Sequence, residues 1–509
     1  MPHRATAVVR GQVLAPALLA ALLGACLAFL FLYPLPGWGP DFGSAFTGHH
    51  VLGRSPGEVW RDIGQGDAHP PLYYLLAWAW LRGKTSHGLD GLLLLAREER
   101  TLSLIFQLLL GATLAAGGYL LGKGPGAMAA LGLALASRVW PEGPDFRMYP
   151  LAAAWVTLAA VAYLRNRPFA GSLFGALALY THYLSGLLLL PYALFALSRS
   201  WRGQGARSLL ALAPYGLFLP WVPWLLGQIG AGRSLPWMRP EPEAVFGFAL
   251  NAWPGPVLLL AATGLLPLAL RRRVPLALLL ALAALYTWYL VSLGINVVMG
   301  SRYLLPFVPL VALGLAEAAG TLSQEGFRRL ALLLGVVFLL AGFAYSRYGR
   351  PAEPVEDYWK YGYLSLVLVR EGKVEAVYLQ DGRYRFLLPQ ALREEGLPPE
   401  RLYIGSLPQS PNPSLLVRYK GTPPLLDPYT PALQRWAEEV APPRRIYEDR
   451  RGEVWFLPGT RGGRGHPDPY HSSWSSKEGA TRRGLRSLSP ATEKRQVNSR
   501  TSLPRRTFR

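Results

Sequence analysis

The sequence predicts an all-α polytopic membrane bundle of about eleven transmembrane helices, followed by a small α/β domain. Composition is the first observation, because 51% of the residues are hydrophobic, 16% are charged and the mean hydropathy is +0.19. The second is a series of apolar runs within residues 1–345. The third is the alternation of those runs with compact basic clusters, as in multi-pass proteins. Together they exclude an ordinary soluble globular protein.

The first predicted span is 12–34, long enough to cross a bilayer at roughly 20 residues per span. Leu22–Cys26 resembles a lipoprotein cleavage site, but the apolar run continues to Tyr33, so we expect an uncleaved span. Cys26 is the only cysteine, which excludes an internal disulfide and a Cys-cluster metal site. The remaining predicted spans are 99–121, 125–138, 149–164, 170–182, 185–198, 208–228, 253–270, 274–294, 303–320 and 330–345.

The basic clusters orient the bundle, because short loops rich in Lys and Arg stay in the cytoplasm. Arg4 and Arg10 precede the first span, and the triplet Arg271–Arg273 separates 253–270 from 274–294. With these clusters inside, the chain is predicted to be a multi-pass protein of the inner (cytoplasmic) membrane. Its C-terminal domain then lies on the extracytoplasmic side.

The segment 346–460 alternates strand-like and helical stretches, which predicts a small extracytoplasmic α/β domain. The predicted strands are Val374–Leu379, Ser414–Tyr419 and Gly452–Leu457, and the predicted helices are Tyr358–Arg370 and Thr430–Val440. Residues 461–509 are rich in Arg, Ser and Gly and are predicted to be a disordered basic tail. The tail carries much of the net charge of +21, and its predicted side favours anionic membrane lipids over nucleic acid as a partner.

Polar clusters at the ends of apolar runs predict a functional site, because ionisable groups are costly at a membrane boundary. The predicted topology places these residues on the extracytoplasmic face: Asp41, Asp67, His69, Asp145, Arg147, Tyr149, His182, Tyr183 and Arg302. Each type also has a structural explanation, since a histidine can bond the backbone, an arginine can snorkel and tyrosines form interfacial belts. The carboxylates have no such explanation, so convergence on one site is the better interpretation.

Four stretches in this order resemble a known family: "DAHPPLYYLLAWAWL", "DFRMYPLAAAWVTLAAVAYL", "GALALYTHYLSGLLLLP" and "SRYLLPFVPLVALGLA". They are similar to the bacterial glycosyltransferase family 39 proteins, relatives of the protein O-mannosyltransferases and the lipid A aminoarabinose transferases. The resemblance implies a C-type glycosyltransferase bundle whose first outer loop carries membrane-parallel helices. It also implies an inverting transfer from a polyprenyl-phosphate sugar donor to a lipid, glycan or protein acceptor at the outer face.

The chain departs from the family at the first outer loop. Family members carry an Asp-Glu pair before an Ala-Phe-Ser/Thr run, whereas here Gly43 and Ser44 precede Ala45–Thr47. The nearest acid is Asp41, which we expect to be the catalytic base. An altered or inactive family member is the alternative.

Transfer from a lipid phosphate requires a carboxylate near the acceptor hydroxyl and positive charge near the departing phosphate. Asp145 is the second predicted catalytic residue, positioning the acceptor or sharing a divalent ion. Arg147 or Arg302 is expected to hold the phosphate, because a guanidinium matches its oxygens with two hydrogen bonds.

The other predicted substrate-binding residues are Asp67, His69, Tyr149, His182 and Tyr183. Asp67, His69 and His182 are compatible either with a metal site or with orientation of the phosphate. A divalent metal ion is the only cofactor considered, and no ligand spacing indicates one.

A transporter or flippase of lipid-linked sugars is the competing class. Transporters place ionisable groups near mid-membrane, in broken helices of repeated halves. Here the ionisable groups cluster at one predicted face and no halves match, which favours glycosyl transfer.

Overall fold

The computed structural model describes residues 15–29, 47–48, 50–66, 69–84, 88–140, 148–232, 244–295, 304–348, 376–379, 392–393, 402–404, 414–419, 433, 437–438, 443–448 and 452–457. The described residues fall into two compact units. The first contains the helices α1 to α14, whose bounds follow, and the candidate functional site. The second contains the long antiparallel strands.

The first unit is helical because its sequence is a succession of apolar runs that satisfy their backbone groups internally. Its helices are α1 (Ala15–Phe29), α2 (Pro56–Gly66), α3 (Leu72–Leu81), α4 (Gly88–Leu135), α5 (Tyr149–Leu164), α6 (Pro168–Thr181), α7 (Tyr183–Gln204), α8 (Ala213–Phe218), α9 (Val222–Gly232), α10 (Ala244–Asn251), α11 (Gly255–Leu270), α12 (Leu276–Ile295), α13 (Val308–Gln324) and α14 (Arg328–Tyr348). Two 3₁₀ helices, Gly205–Leu212 and Leu219–Trp221, flank α8.

Four described stretches are long and apolar enough to cross a membrane: Thr101–Leu135, Ser208–Ile229, Leu276–Leu293 and Arg328–Tyr345. A bent pair, Val245–Asn251 with Gly255–Leu270, makes a fifth if it acts as one span. Further apolar helices of 10–17 residues include α1, α3, α5 and α6. The chain is therefore a multi-pass membrane protein, while the number of eleven spans stays a prediction.

The long helix α4 is broken where the sequence predicts two separate spans. Gly122 and Lys123 leave the helical conformation, and Lys123 has a φ of 57°. A Cβ on Gly118 would lie 2.6 Å from the carbonyl oxygen of Gly126, eight residues later in the chain. The two halves of α4 therefore fold back side by side, an approach that only a side chain as small as glycine allows.

Small residues also bring α13 and α14 against α4. A Cβ on Gly122 would lie 2.0 Å from the carbonyl oxygen of Ala316 in α13, and one on Gly132 would lie 2.4 Å from the carbonyl carbon of Phe338 in α14. Close backbone approach between small residues is the usual way in which membrane helices gain packing energy. Both α13 and α14 therefore pack directly against α4.

The predicted span 208–228 is not one regular helix. Pro214, Pro220 and Pro223 each lack a backbone N–H, and this part of the chain alternates α8 and α9 with short 3₁₀ helices. The interruption places Trp221 and Gln228 near the helix α2.

The second unit contains an antiparallel ladder. Its strands are β3 (Ser414–Tyr419), β4 (Arg444–Glu448) and β5 (Gly452–Leu457), with β5 between β3 and β4. Ser414 lies opposite Leu457, and the β4–β5 register shifts between Arg445 and Tyr447. The bounds of β3 and β5 agree with the prediction, whereas β4 was not predicted.

Two further short strands are β1 (Ala376–Leu379) and β2 (Leu402–Ile404). β1 falls within the predicted strand Val374–Leu379, and β2 was not predicted. The predicted helix Tyr358–Arg370, most of Thr430–Val440 and the tail 461–509 lie outside the described residues. The domain limits at 346 and 460 and the extracytoplasmic location stay predictions.

Candidate functional site

Three aromatic side chains from distant parts of the sequence form one ring cluster, consisting of His69, Tyr149 and His182. The ring centroids lie 5.0 Å apart for Tyr149 and His182, 5.7 Å for His69 and His182, and 6.5 Å for His69 and Tyr149. All three side chains are buried. Each belongs to a different one of the motifs singled out in the sequence, "HPPLYY", "RMY" and "YTHY".

Helix termini place these rings. His69 precedes α3, and Pro70 and Pro71 separate it from the helix because proline disfavours a helical conformation in the residue before it. Tyr149 is the first residue of α5, with Pro150 at a position where a missing N–H costs nothing. His182 lies between α6 and α7 in an extended conformation, with φ −159° and ψ 129°.

A local hydrogen bond determines which ring nitrogen of His182 can act as a donor. The backbone N–H of Leu184 donates to Nδ1 of His182 at 3.3 Å. Because Nδ1 accepts, a neutral His182 carries its proton on Nε2 and can donate from that nitrogen. Such a donor suits phosphate or hydroxyl oxygens.

Tyr183 belongs to a neighbouring set of contacts. Its hydroxyl accepts a hydrogen bond from Nε1 of Trp221 at 2.7 Å and is bonded to Oε1 of Gln228. Nε2 of Gln228 donates to the carbonyl oxygen of Ile63 at 3.0 Å. Tyr183 therefore joins the start of α7 to α9 and, through Gln228, to the end of α2.

The helix α2 begins at a capping box. The backbone N–H of Ser55 donates to Glu58 at 2.7 Å, and the N–H of Glu58 donates to the Ser55 hydroxyl at 3.3 Å. Hydrogen bonds from the Ser55 N–H and, to a smaller extent, from its hydroxyl lower the pKa of the exposed Glu58 carboxyl.

The helix α2 is amphipathic. Val59 and Ile63 form its buried face, whereas Trp60 is 37% exposed. An amphipathic helix of this kind suits a membrane surface.

An ion cluster consisting of His50, Arg54 and Asp62 was missed by sequence reasoning. Oδ2 of Asp62 binds Nδ1 of His50, and Oδ1 of Asp62 lies 3.0 Å from Nη1 of Arg54. Burial raises the pKa of the Asp62 carboxyl, but the His50 hydrogen bond and the charges of His50 and Arg54 lower it by more, so the net shift is downward. The His50 ring also lies 5.8 Å from the ring of Tyr74 in α3.

Five predicted site residues lie outside the described part of the chain: Asp41, Asp67, Asp145, Arg147 and Arg302. The described ones divide into the ring cluster and Tyr183. Within the described ranges, no three His, Cys, Asp or Glu side chains lie together as a metal site requires. A divalent metal stays compatible with the sequence, since all three candidate carboxylates, Asp41, Asp67 and Asp145, lie outside the described residues.

No family model matches the sequence, and a search of curated proteins finds no significant match. Among solved structures, the chain is similar to ArnT from Cupriavidus metallidurans bound to undecaprenyl phosphate, with a TM-score of 0.50 and 13% identity. This match covers 87% of the chain and 99% of ArnT. The chain is thus a membrane protein with the fold of ArnT, which confirms the predicted bundle at the level of the fold.

Two structures of the Archaeoglobus fulgidus oligosaccharyltransferase also match, one in complex with Zn and sulfate and one in the apo form. Their identities are 12% and 11%, and the TM-score is 0.40 for each. The matches cover 77% and 75% of this chain and 62% and 64% of the oligosaccharyltransferase. TM-scores this low do not establish a shared fold.

Proposed function

We propose that this chain is an integral membrane glycosyltransferase. It moves a sugar from a polyprenyl-phosphate-linked donor to a lipid, glycan or protein acceptor at the extracytoplasmic membrane face. The meeting of His69, Tyr149 and His182 carries this proposal, because three sequence motifs at three helix termini supply it. Buried imidazole and phenol groups can orient a phosphate or a sugar hydroxyl by hydrogen bonding.

The fold supports the proposal through its similarity to a membrane protein solved with a lipid phosphate. ArnT was solved with undecaprenyl phosphate, which is a polyprenyl phosphate. The same motifs that build the ring cluster carry the resemblance to a family of polyprenyl-phosphate-dependent transferases. Fold and motifs therefore favour the same substrate class.

The reaction assigns roles to four of the predicted residues. The acceptor oxygen forms a bond to the anomeric carbon as the bond from that carbon to the phosphate oxygen breaks, which inverts the configuration. Polyprenyl phosphate leaves with the electron pair, and the acceptor proton passes to Asp41. Asp145 positions the acceptor, and Arg147 or Arg302 binds the phosphate oxygens in a bidentate manner.

Replacement of Asp41, Asp67 and Asp145 by asparagine, one at a time, tests these roles. The assay follows release of polyprenyl phosphate from a short-chain polyprenyl-phosphate sugar in the presence of an envelope extract, which supplies the acceptor whatever its identity. Asp41→Asn should abolish release with donor binding intact, because an amide matches the carboxylate in size but takes no proton. Asp145→Asn should reduce it less.

If instead Asp41→Asn is active and Asp145→Asn or Asp67→Asn is inactive, the catalytic base is the aspartate whose replacement abolishes release. Full activity in all three variants contradicts the proposed site. An unmodified protein that is inactive with every donor contradicts glycosyl transfer itself. Glu58→Gln is the matched control, because Glu58 is an exposed outer-loop acid whose visible role is a helix cap.

A further inference from the structure

We propose that Asp62 is a positioning residue for the transfer reaction, fixing the outer-loop residues 50–54 against α2 and α3. The inference rests on the proposed function, because those residues follow the proposed base Asp41 closely in the chain. It concerns the ion cluster of His50, Arg54 and Asp62, which neither the sequence motifs nor the proposed mechanism uses.

Asp62 uses both of its carboxylate oxygens on one short segment. One oxygen binds the His50 imidazole, 12 residues earlier in the chain, and the other binds the Arg54 guanidinium. The side chain of His50 is only 5% exposed, whereas those of Arg54 and Asp62 are each 30% exposed. Loss of the carboxylate would remove the bonding partner of Nδ1 on a buried imidazole. The carboxylate therefore determines where the segment rests.

The helix α3 holds the same segment from another direction. Nε1 of Trp78 donates to the carbonyl oxygen of Arg54 at 2.7 Å, and the Tyr74 ring meets the His50 ring edge-on. Since α3 begins three residues after His69, the segment is fixed to the helix that follows the ring cluster. Two independent attachments, one ionic and one through α3, leave residues 50–54 little freedom.

The helix α2 is itself anchored beside the candidate site. Gln228 donates to the carbonyl oxygen of Ile63, the residue next to Asp62, and binds the Tyr183 hydroxyl. Tyr183 follows His182 directly. Hydrogen bonds and chain neighbours thus connect the ring cluster to Asp62, so a change in the ionisation of Asp62 can alter the geometry on the outer-loop side of the site.

Charge, and not shape alone, determines this attachment. His50 and Arg54 face the carboxylate from the outer-loop segment, and Tyr74 contributes the neighbouring ring of α3. On α2 itself, Glu58 is bonded to Ser55 and Arg61 to the Gly57 carbonyl oxygen, while α9 contributes the neutral Gln228. An asparagine at position 62 keeps the volume of aspartate but loses the ion pair with Arg54.

The test measures donor turnover by Asp62→Asn at several pH values, with three companion variants. We expect its kcat to fall roughly 10- to 100-fold, because a misplacement of about 1 Å near a reacting group costs up to that factor. The KM for the donor should change by less than about threefold, since only the acceptor side is displaced. Asp62→Glu, which keeps the charge, should recover part of the loss, and Glu58→Gln should match the unmodified protein.

A purely structural role is separated by Ser55→Ala. That substitution removes the hydroxyl that caps α2, but it leaves the carboxylate of Asp62 in place. Equal losses of kcat in Ser55→Ala and Asp62→Asn at equal stability would overturn the inference, as would an Asp62→Asn enzyme with unchanged kcat. If Asp62→Asn does not fold, Arg54→Gln removes one of the two partners of Asp62 at a partly exposed position. A lowered kcat in Arg54→Gln would then support the inference, and an unchanged kcat would overturn it.

The pH dependence provides a readout that packing alone does not move. In the unmodified protein, kcat should decline as Asp62 takes up a proton in acid, and in Asp62→Asn that component should be missing. An identical acid profile in both proteins contradicts the inference. An unmodified protein without any turnover contradicts the proposed function instead, whereas an active protein whose Asp62→Asn variant is equally active contradicts the role of Asp62 alone.

Discussion

Replacing Gln228 with leucine should loosen the helix α2 from the bundle. Gln228 is 8% exposed, and its amide donates to the carbonyl oxygens of Ile63 and Gly64 at 3.0 and 3.4 Å. These carbonyls belong to the last turn of α2, where no intrahelical N–H is available to bind them. Leucine has a similar volume, so the change removes polar contacts and creates little cavity.

The expected loss of stability is the sum over the groups that lose their hydrogen bond to the Gln228 side chain. A buried carbonyl without its donor costs about 1–3 kcal/mol, and the lost bond to Tyr183 adds about 1 kcal/mol. The Tyr183 hydroxyl keeps Trp221 as a second partner, which limits the effect. We therefore expect a total of about 2–4 kcal/mol, concentrated at the contact between α2 and α9.

Limited proteolysis of the detergent-solubilised protein measures this local opening, because cleavage of a transiently open segment follows the free energy of opening. Gln228→Leu should be cleaved within residues 50–84 at least tenfold faster than the unmodified protein, since each 1.4 kcal/mol is a factor of ten. Thr287→Ala is the control: its exposed hydroxyl donates to the Ala283 carbonyl oxygen, one turn earlier in the same helix. Equal cleavage rates for the two variants would refute the role assigned to Gln228.

Further predictions concern packing, phosphate binding and topology. Gly132→Ala should lower the thermal midpoint, because its new Cβ clashes with the backbone of α14 at a cost of about 1–3 kcal/mol. The control Gly216→Ala should leave the midpoint unchanged or raise it, since nothing lies within 4 Å of a Cβ at that position. Equal midpoints for the two variants would contradict the crossing of α4 and α14. Arg147→Lys and Arg302→Lys should weaken donor binding in a binding assay more than they lower stability, because lysine lacks the bidentate fork; normal binding by both would make these arginines span-end anchors. A reporter fused after residue 345 should be active outside the cytoplasm and one inserted at Arg271–Arg273 inside it, so activity of both on one side would break the predicted topology.

The ring cluster could be anticipated because its members occupy sequence positions that topology brings together. His69, Tyr149 and His182 each stand at the end of an apolar run, and alternating spans bring such ends to a common face. The break in α4 could be anticipated for a related reason, since Gly122 and Lys123 interrupt two runs that are each long enough to be a helix. In both cases the signal lies within a few residues of the feature.

The ion cluster could not be anticipated from the residues alone. His50 and Asp62 are separated by a turn and most of α2, and no periodic pattern relates a residue before a helix to one within it. The contacts of Gln228 could not be anticipated either, because a single glutamine at the end of an apolar stretch is as typical of a loop as of a packed helix. Its partners Ile63 and Tyr183 lie far away in sequence, and they offer a carbonyl and a hydroxyl that leave no signature in the pattern of side chains.

Mass spectrometry of envelope glycans and lipids tests the proposed glycosyl transfer most directly. Cells with the unmodified protein, cells without it and cells with Asp41→Asn should be compared, together with their polyprenyl-phosphate sugar pools. The account predicts that one glycan, lipid or protein loses the mass of a sugar residue both when the protein is absent and in Asp41→Asn, while the lipid-linked donor accumulates. Identical acceptor masses in all three strains, with a change only in the distribution of the lipid-linked sugar between leaflets, would contradict transfer and indicate a flippase.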